Sequence, residues 1–252
     1  MLSKSKIKYI RSLEMKKFRT ESGNFLAEGN KLVGDILPFF ECELLLAKPS
    51  WMAQQGDIRA GELIAADESD IEKASLLKTP QDVLAVFKQP NYQLNKEELK
   101  QSLSLVLDGV QDPGNLGTIV RLADWFGIKN VICSLDTADI FNPKTVQATM
   151  GAIARVKVFY TSLPELLNDF TDFPVYGAFL EGKNIHEEKL TTAGLIVMGN
   201  EGKGISRPVA KYISRKLYIP NYPVDAQTTE SLNVAVATAI ICSEFRRSAY
   251  QV

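Results

Sequence analysis

An arginine and its helix are the first features whose residue types and spacing suggest chemistry. In the stretch LDGVQDPGNLGTIVRLADWFG, residues 107–127, an apolar strand runs through a polar turn into a helix. At about 100° per residue, Arg121 points away from the apolar face of that helix and over Gly117. This would leave space for a ligand beside Arg121, although the pattern also fits a solvated surface arginine. The apolar face comprises Leu116, Ile119, Val120, Ala123 and Phe126.

A second polar turn, GNEGKG at residues 199–204, follows an apolar strand and precedes a helix that Ser206 can cap. Glycines allow backbone amides to approach a ligand closely. The spacing is G-x-x-G-x-G, which matches neither a dinucleotide-binding turn nor a phosphate loop, and on spacing alone it favours a tight strand-to-helix turn without a ligand. Glu201 is poorly placed there for packing and well placed to accept a hydrogen bond.

The third polar turn leads into a long helix predicted from residue 231 to about residue 249. The free amides and the dipole at the start of a helix attract polar or anionic groups. Ser231 and Asn233 at this helix start are candidate ligand contacts, and ordinary capping is the alternative role for both. The small residues that follow in the helix permit close approach of another segment or subunit.

The composition excludes several classes of site. The chain has 252 residues, a net charge of −1, three widely spaced cysteines and one histidine, His186. This pattern predicts reduced thiols in a cytoplasmic protein without a signal peptide, and no apolar run is long enough to span a membrane. A histidine-rich metal site is impossible and a cysteine-based one is unsupported, so we expect no metal. A Ser-His-Asp hydrolase would depend on His186, which lies in a polar stretch typical of a surface residue.

The N-terminal segment carries a local basic patch. Within residues 1–19, seven basic side chains stand against one acidic residue, Glu14. Such a patch suits contact with RNA phosphates, while a solvated charged helix face is the alternative. The candidate RNA-binding residues are Lys4, Lys8, Arg11, Lys16, Lys17 and Arg19.

These residues must be positioned by two domains of α/β class. The N-terminal part mixes helices and strands, and the polar stretch around Pro90 suggests a linker. Beyond it, apolar strands alternate with helices, which predicts a parallel sheet covered by helices on both faces. Ligands of such sheets bind beyond the carboxyl ends of the strands, where all three polar turns fall. The predicted boundaries are residues 1–92 for a small α/β RNA-binding domain, 93–102 for the linker and 103–252 for the second domain.

The three stretches together resemble the signature motifs of the SpoU-type RNA 2'-O-ribose methyltransferases of the SPOUT superfamily. The motifs are LDGVQDPGNLGTIVRLADWFG, IVMGNEGKGIS, and YIP followed by ESLNVAVATAI, and they occur in the family's order. Upstream, KIKYIRSL, FRTESGNFLAEG and TPQDVLAVFK are similar to the N-terminal substrate-binding domain of that family. The resemblance therefore covers nearly the whole chain.

The resemblance implies a C-terminal parallel sheet threaded into a trefoil knot, S-adenosylmethionine bound in the knot, and a homodimer built partly by the last helix. By the same resemblance, Arg121 matches the catalytic arginine, and the other catalytic positions are Asn115, Glu201, Ser231 and Asn233. The positions that match the methyl-donor pocket are Gly199, Glu201, Gly202, Ile219, Pro220 and Leu232.

The implied activity is methyl transfer from S-adenosylmethionine to a ribose 2'-hydroxyl of structured RNA. The substantial N-terminal domain favours ribosomal over transfer RNA, by analogy. A non-catalytic RNA-binding protein that retains the fold is the main alternative. A dinucleotide-dependent oxidoreductase is disfavoured because its glycine spacing is missing.

Overall fold

The computed structural model describes residues 2–223 and 229–247. The chain forms two compact units. The first holds the chain up to Asn91 together with Asp139–Ala154, and the second holds Tyr92–Ala138 together with the chain from Arg155 onward.

Helices and strands alternate along most of the described chain. In chain order they are α1 (Lys4–Ser12), α2 (Lys16–Ser22), β1 (Asn24–Glu28), α3 (Asn30–Ile36), β2 (Cys42–Ala47), α4 (Pro49–Met52), β3 (Glu62–Ala65), α5 (Glu68–Ala74), β4 (Val83–Lys88), α6 (Lys96–Leu99), β5 (Leu103–Asp108), α7 (Pro113–Trp125), β6 (Asn130–Cys133), α8 (Pro143–Thr149), β7 (Lys157–Tyr160), α9 (Leu163–Asn168), β8 (Val175–Asn184), β9 (Gly194–Gly199), α10 (Arg207–Ala210), β10 (Arg215–Tyr218) and α11 (Val234–Arg247). A short 3-10 helix follows α8 at Ala152–Ala154.

The first unit is built on a four-stranded sheet with the order β1-β4-β2-β3. β4 pairs antiparallel with both β1 and β2, and β2 pairs parallel with β3. Every residue of β1 is buried, so both faces of that strand are covered. This unit is the predicted small α/β domain at the N-terminus.

The second unit is built on a six-stranded sheet with the order β10-β8-β9-β5-β6-β7, in which every pair of neighbours is parallel. All residues of β5 and β6 are buried, as expected for strands of a parallel sheet covered on both faces. The predicted parallel α/β sheet is therefore confirmed. β5 is followed in sequence by its neighbour β6, while its other neighbour β9 comes much later, so the direction of strand progression reverses beside β5.

One segment of the predicted second domain packs in the first unit. Asp139–Ala154 follows β6 in sequence, yet its Phe141 ring lies 5.0 Å from the ring of Phe25. Gln147 Nε2 donates to the backbone carbonyl of Glu28 at 2.6 Å. The predicted boundaries at residues 92 and 102 remain predictions, and the interval assigned to the linker contains the short helix α6.

The motif helices differ in detail from the prediction. The helix predicted over residues 115–126 begins at Pro113 in the structure, because Asp112 caps α7 by accepting from the Asn115 amide at 2.8 Å. Gly117 is buried, since it lies only about 60° around the helix from the core residue Val120. The predicted open position below Arg121 is therefore wrong. α11 begins at Val234 rather than residue 231, and its predicted end near residue 249 lies outside the described residues. Residues 224–228 of the polar turn that precedes α11 also lie outside them.

Within the described ranges, no helix is long and apolar enough to cross a membrane.

Candidate active site

The three predicted motifs end on the same edge of the second unit's sheet. β5, β9 and β10 are parallel members of that sheet, so the turns that follow them leave from one side. The turn after β5 carries Asn115, and the turn after β9 carries Glu201. Because β5 and β9 are neighbours and the strand order reverses beside β5, this edge is where an open α/β sheet binds its ligand.

Three of the predicted catalytic residues form a hydrogen-bonded series. Asn233 Nδ2 donates to Asn115 Oδ1 at 3.0 Å. Asn115 Nδ2 in turn donates to Glu201 Oε1 at 3.0 Å. The pairs are 118 and 86 positions apart in sequence, so only the fold brings these side chains together. The series joins all three motifs.

The orientation of each amide in this series is fixed by chemistry. Asn233 Oδ1 caps α11 by accepting from the amides of Ala235, at 2.9 Å, and Val236, at 3.3 Å. Its Nδ2 must therefore face Asn115, which has to present Oδ1 to it. An ionised Glu201 only accepts hydrogen bonds, so it requires the Nδ2 side of Asn115. Donors thus run in one direction along the series, from α11 to the glycine-rich turn.

The glycine-rich turn is closed by its own backbone. Asn200 and Gly204 exchange two hydrogen bonds, of 3.1 and 2.9 Å. The turn folds so tightly over Gly199 that a Cβ there would meet the carbonyl carbon of Gly204 at 2.3 Å. Asp108, at the end of β5, is buried and accepts from the Ser206 amide at 2.7 Å, which anchors the exit of the turn. Glycine at 199 is thus required by packing, and the turn presents backbone groups at the sheet edge.

Arg121 and Ser231 belong to the same unit but lie outside the hydrogen-bonded series. Arg121 is exposed and has no hydrogen bond or ion pair among the described residues. It lies about 9 Å beyond Asn115 along the axis of α7, at 1.5 Å per residue. Ser231 is also exposed, just before the start of α11. Arg121 is therefore an uncompensated cation near the edge that carries the series.

The remaining predicted donor-pocket residues occupy the same edge. Ile219 and Pro220 directly follow β10 and are half-buried. Leu232 is 49% exposed, directly before Asn233. Gly202 is exposed in the glycine-rich turn and donates its amide to Asn200 Oδ1 at 3.0 Å. These residues offer apolar surface and backbone groups, which suits a ligand held largely by the main chain.

The predicted RNA-binding residues lie in the first unit, and one of them is misassigned. Lys4, Lys8, Lys16 and Lys17 are exposed on α1 and α2. Arg11 is exposed as well, although its guanidinium donates to the carbonyl of Ser75 at 2.7 Å.

Arg19 is only 2% exposed and cannot contact RNA. Its guanidinium pairs with Asp139 Oδ2 at 2.6 Å and donates to the carbonyls of Leu13 and Glu14. A buried cation needs partners of this kind, and this requirement explains why the Arg19 guanidinium lies beside a carboxylate and two carbonyls.

Other chemistry finds no support among the described residues. Burial raises the pKa of the Cys42 thiol to about 11 and that of Cys242 to about 12, and it raises the pKa of Cys133 as well. Such thiols remain protonated at neutral pH and are poor nucleophiles. His186 Nδ1 lies 3.4 Å from Glu244 Oε2, so the histidine faces a carboxylate on α11. No group of three or more His, Cys, Asp or Glu residues that could hold a metal occurs in the described part of the chain.

The sequence analysis does not identify two residues whose side chains hold the glycine-rich turn, Asp108 and Asn200. A carboxylate that ends a buried apolar strand needs a donor, which is the signal that Asp108 carried. Asparagine within a glycine-rich turn commonly accepts from nearby backbone amides, which is the signal that Asn200 carried.

Comparison with known proteins agrees with this geometry. Residues 102–243 match the model of the SpoU rRNA Methylase family, and residues 4–85 match the MRM3-like substrate binding domain. The chain is 33% identical over 248 residues to the 23S rRNA (guanosine(2553)-2'-O)-methyltransferase RlmP of Bacillus subtilis, covering 96% of each chain.

Solved structures give the same result. An AdoMet-bound rRNA methyltransferase from Sinorhizobium meliloti is 30% identical, with a TM-score of 0.83 over 98% of this chain and 96% of that one. A TrmH-family protein from Porphyromonas gingivalis is 44% identical, with a TM-score of 0.90 over 98% and 99% of the two chains. The resemblance predicted from the three motifs is confirmed, and the chain belongs to the SpoU rRNA methylase family.

Proposed function

We propose that this chain transfers a methyl group from S-adenosylmethionine to the ribose 2'-hydroxyl of a nucleotide in ribosomal RNA. The observation that carries the proposal is the series Asn233–Asn115–Glu201, which joins the three family motifs at the ligand-binding edge of the sheet. A fold retained only for RNA binding has no need of such an ordered polar series. The non-catalytic alternative is therefore less well supported.

The residues at this edge fit the methyl donor. The turn folds so closely over Gly199 that its backbone occupies the space a side chain at residue 199 would need. Backbone amides and carbonyls therefore lie at this edge of the sheet. Bound S-adenosylmethionine supplies an electrophilic methyl group on a sulfonium. The residues that would hold it are Gly199, Glu201, Gly202, Ile219, Pro220 and Leu232. They combine backbone hydrogen-bonding groups with apolar contact, as an amphipathic cofactor requires.

The chain's own residues then align the ribose and manage its proton. Arg121 clamps a phosphate beside the target ribose and increases the acidity of the hydroxyl through its charge. A general-base role suits it poorly, because a guanidinium stays protonated in proteins. As the methyl group passes from sulfur to the ribose oxygen, the exposed Ser231 relays the proton of the hydroxyl to bulk water. Asn115 and Asn233 position the reacting groups, and Glu201 holds Asn115 in the required orientation.

Ribosomal RNA is the substrate class that the relatives support. RlmP of Bacillus subtilis acts on a guanosine of 23S rRNA, and the Sinorhizobium meliloti protein is an rRNA methyltransferase. The match to the MRM3-like substrate binding domain supports RNA contact by the first unit. We assign this contact to Lys4, Lys8, Lys16 and Lys17, with a smaller contribution from Arg11, whose guanidinium is already engaged. The same substrate class supports the expected cytoplasmic location.

A trefoil knot and a homodimer complete the proposal. Insertion of β9 between β5 and β8, followed by β10 on the far side of β8, supports a knotted path. α7 and α11 run parallel, since Asn233 contacts Asn115 at one end and Arg246 Nε donates to the Phe126 carbonyl at the other. Trp125 is 81% exposed on α7 and Val236 is 50% exposed on α11. Apolar exposure on both helices supports their use in a symmetric dimer.

The test is methyl transfer to defined RNA pools. Purified chain is incubated with methyl-labelled S-adenosylmethionine and unmodified ribosomal or transfer RNA, and the digested nucleosides are separated, with Arg121→Ala in parallel. We expect label in a 2'-O-methyl nucleoside from ribosomal RNA only, and none with the variant. Label from transfer RNA alone would overturn the substrate class. Absence of both label and donor binding would overturn the enzyme assignment.

A further inference from the structure

We propose that Asn200 is a positioning residue for the methyl transfer: its side-chain oxygen shapes the donor-binding turn, and its side-chain nitrogen sets that turn against the catalytic helix. The inference rests on the proposed function and adds a residue that the motif assignments above do not include. Asn200 stands between Gly199 and Glu201, both assigned to the donor pocket.

The oxygen of the Asn200 side chain organises the turn internally. Asn200 Oδ1 accepts from the amides of Gly202 and Lys203, each at 3.0 Å. The backbone of Asn200 is meanwhile paired with Gly204. One side chain therefore holds the amides at the centre of the turn while the backbone closes its ends. Without this acceptor, the turn would lose the shape that presents its backbone to the donor.

The nitrogen of the same side chain reaches a different element. Asn200 Nδ2 donates to the Gly109 carbonyl at 2.7 Å, in the turn that leads from β5 to α7. The Gly109 amide is itself held by the hydroxyl of Ser134, at 2.9 Å, and Ser134 is buried. Both backbone groups of Gly109 are thus engaged, so this attachment point is rigid.

Two links consequently join the glycine-rich turn to the catalytic helix and its entry. Asn200 binds Gly109 before α7, and Glu201 binds Asn115 in its first turn. Two consecutive residues of the glycine-rich turn thereby hydrogen-bond to the two ends of segment 109–115. The shorter hydrogen bond, from Asn200 to Gly109, keeps the turn in place so that the exposed Glu201 can accept from Asn115. Loss of the Asn200 link would shift Asn115 relative to the donor, and a small misplacement of this kind lowers the rate of the chemical step.

Asn200→Asp separates the two roles. An ionised carboxylate keeps the acceptor for Gly202 and Lys203 but has no proton to give to the Gly109 carbonyl. We expect donor affinity within about threefold of wild type and kcat reduced by about tenfold or more, as a lost hydrogen bond beside an unpaired acceptor predicts. Asn200→Ala, the matched variant, removes both links and should weaken donor binding as well.

The pH profile supplies a readout that a merely structural role would not move. A protonated carboxyl has the shape of the asparagine amide and can donate to Gly109. Relative to wild type, the activity of Asn200→Asp should therefore rise as pH falls from about 8 toward about 5, approaching the ordinary range of aspartate. Asn200→Ala should show no such recovery. Thermal unfolding of both variants measures any general loss of stability.

Wild-type kcat in Asn200→Asp, or equal loss of donor affinity in both variants, would overturn the inference. Failure of wild type to methylate any RNA would instead overturn the proposed function. In that case, hydrogen–deuterium exchange still tests the turn. The segment at residues 199–204 should exchange faster in Asn200→Ala than in Asn200→Asp, and equal exchange in the two variants would refute the role of the side-chain oxygen.

Discussion

Replacement of Asn115 by aspartate should disrupt the polar series at its centre. Asn115 donates through Nδ2 to Glu201 and accepts through Oδ1 from Asn233. Asn115→Asp preserves the shape and the acceptor, but it removes the donor. A carboxylate oxygen then faces the Glu201 carboxylate across the same contact.

The size of this effect follows from the contact distance. Two unit charges at the 3.0 Å separation of the Asn115–Glu201 contact repel by about 1.4 kcal/mol in water. The lost hydrogen bond adds about 1 kcal/mol. Because the contact is exposed and the carboxylates can move apart, we expect a net cost of about 1–2 kcal/mol. If this cost raises the activation barrier of the chemical step, kcat decreases by roughly 5- to 30-fold.

A second substitution should reverse the loss. In Asn115→Asp with Glu201→Gln, the glutamine Nε2 can donate to the new carboxylate, whose other oxygen still accepts from Asn233. Both links of the series are thereby restored with one of them reversed in direction. Glu201→Gln alone should remain within a few-fold of wild type, because its Oε1 still accepts from Asn115.

The assay is single-turnover methylation of the RNA substrate, with donor affinity measured in parallel for the wild type, both single variants and the double variant. A positive coupling of about 1 kcal/mol or more between the sites would support an orienting role for Glu201. Inactivity of Glu201→Gln alone would refute this reasoning, since it would make the carboxylate itself part of the chemistry. So would a double variant no faster than Asn115→Asp.

Three further outcomes follow from the structure. Arg121→Ala should lower turnover by about 100-fold or more with donor affinity nearly intact, as for loss of one charge-stabilising group; a large loss of donor binding would contradict the phosphate-clamp role. Arg19→Ala should lower the free energy of unfolding by about 3–5 kcal/mol in urea, because it leaves Asp139 without its buried partner. Removal of the exposed lysines of α1 should leave that free energy unchanged. It should instead reduce the salt dependence of RNA binding. Gly199→Ala should reduce donor binding at least tenfold because its Cβ would meet Gly204 at 2.3 Å. Gly56→Ala, whose Cβ would meet nothing within 4 Å and which lies outside the donor pocket, should bind the donor normally in the same titration.

Much of the fold was predictable because its signals are local. The apolar runs of β5 and β9 are buried almost throughout in a parallel sheet, and alternation with helices indicated that sheet directly. The three polar turns followed from their position at strand ends, whereas the roles of their residues came from the family resemblance and stay predictions. The hydrophobic pattern did not predict the strand order, in which β9 lies between β5 and β8. Pairing between strands that are distant in sequence leaves no periodic signal.

The errors have equally physical causes. Local charge density groups Arg19 with the exposed basic residues, because it carries no information on burial. The partner of Arg19, Asp139, lies 120 positions away in sequence. Gly117 was placed at the surface from its offset to Arg121, although its offset to Val120 puts it on the margin of the core face. For Arg19 a tertiary contact decided the environment, and for Gly117 the neighbouring core face of its own helix did.

Asn233 shows why capping and active-site roles need not compete. As a helix cap, its Oδ1 is committed to the first amides of α11, which removes the freedom of the side-chain amide to flip. That constraint points Nδ2 at Asn115 and thereby sets the polarity of the whole series to Glu201. A serine or aspartate would cap the helix comparably well, yet neither offers an amide donor at this position. Helix capping thus accounts for a polar residue here, and only the series across the three motifs accounts for asparagine.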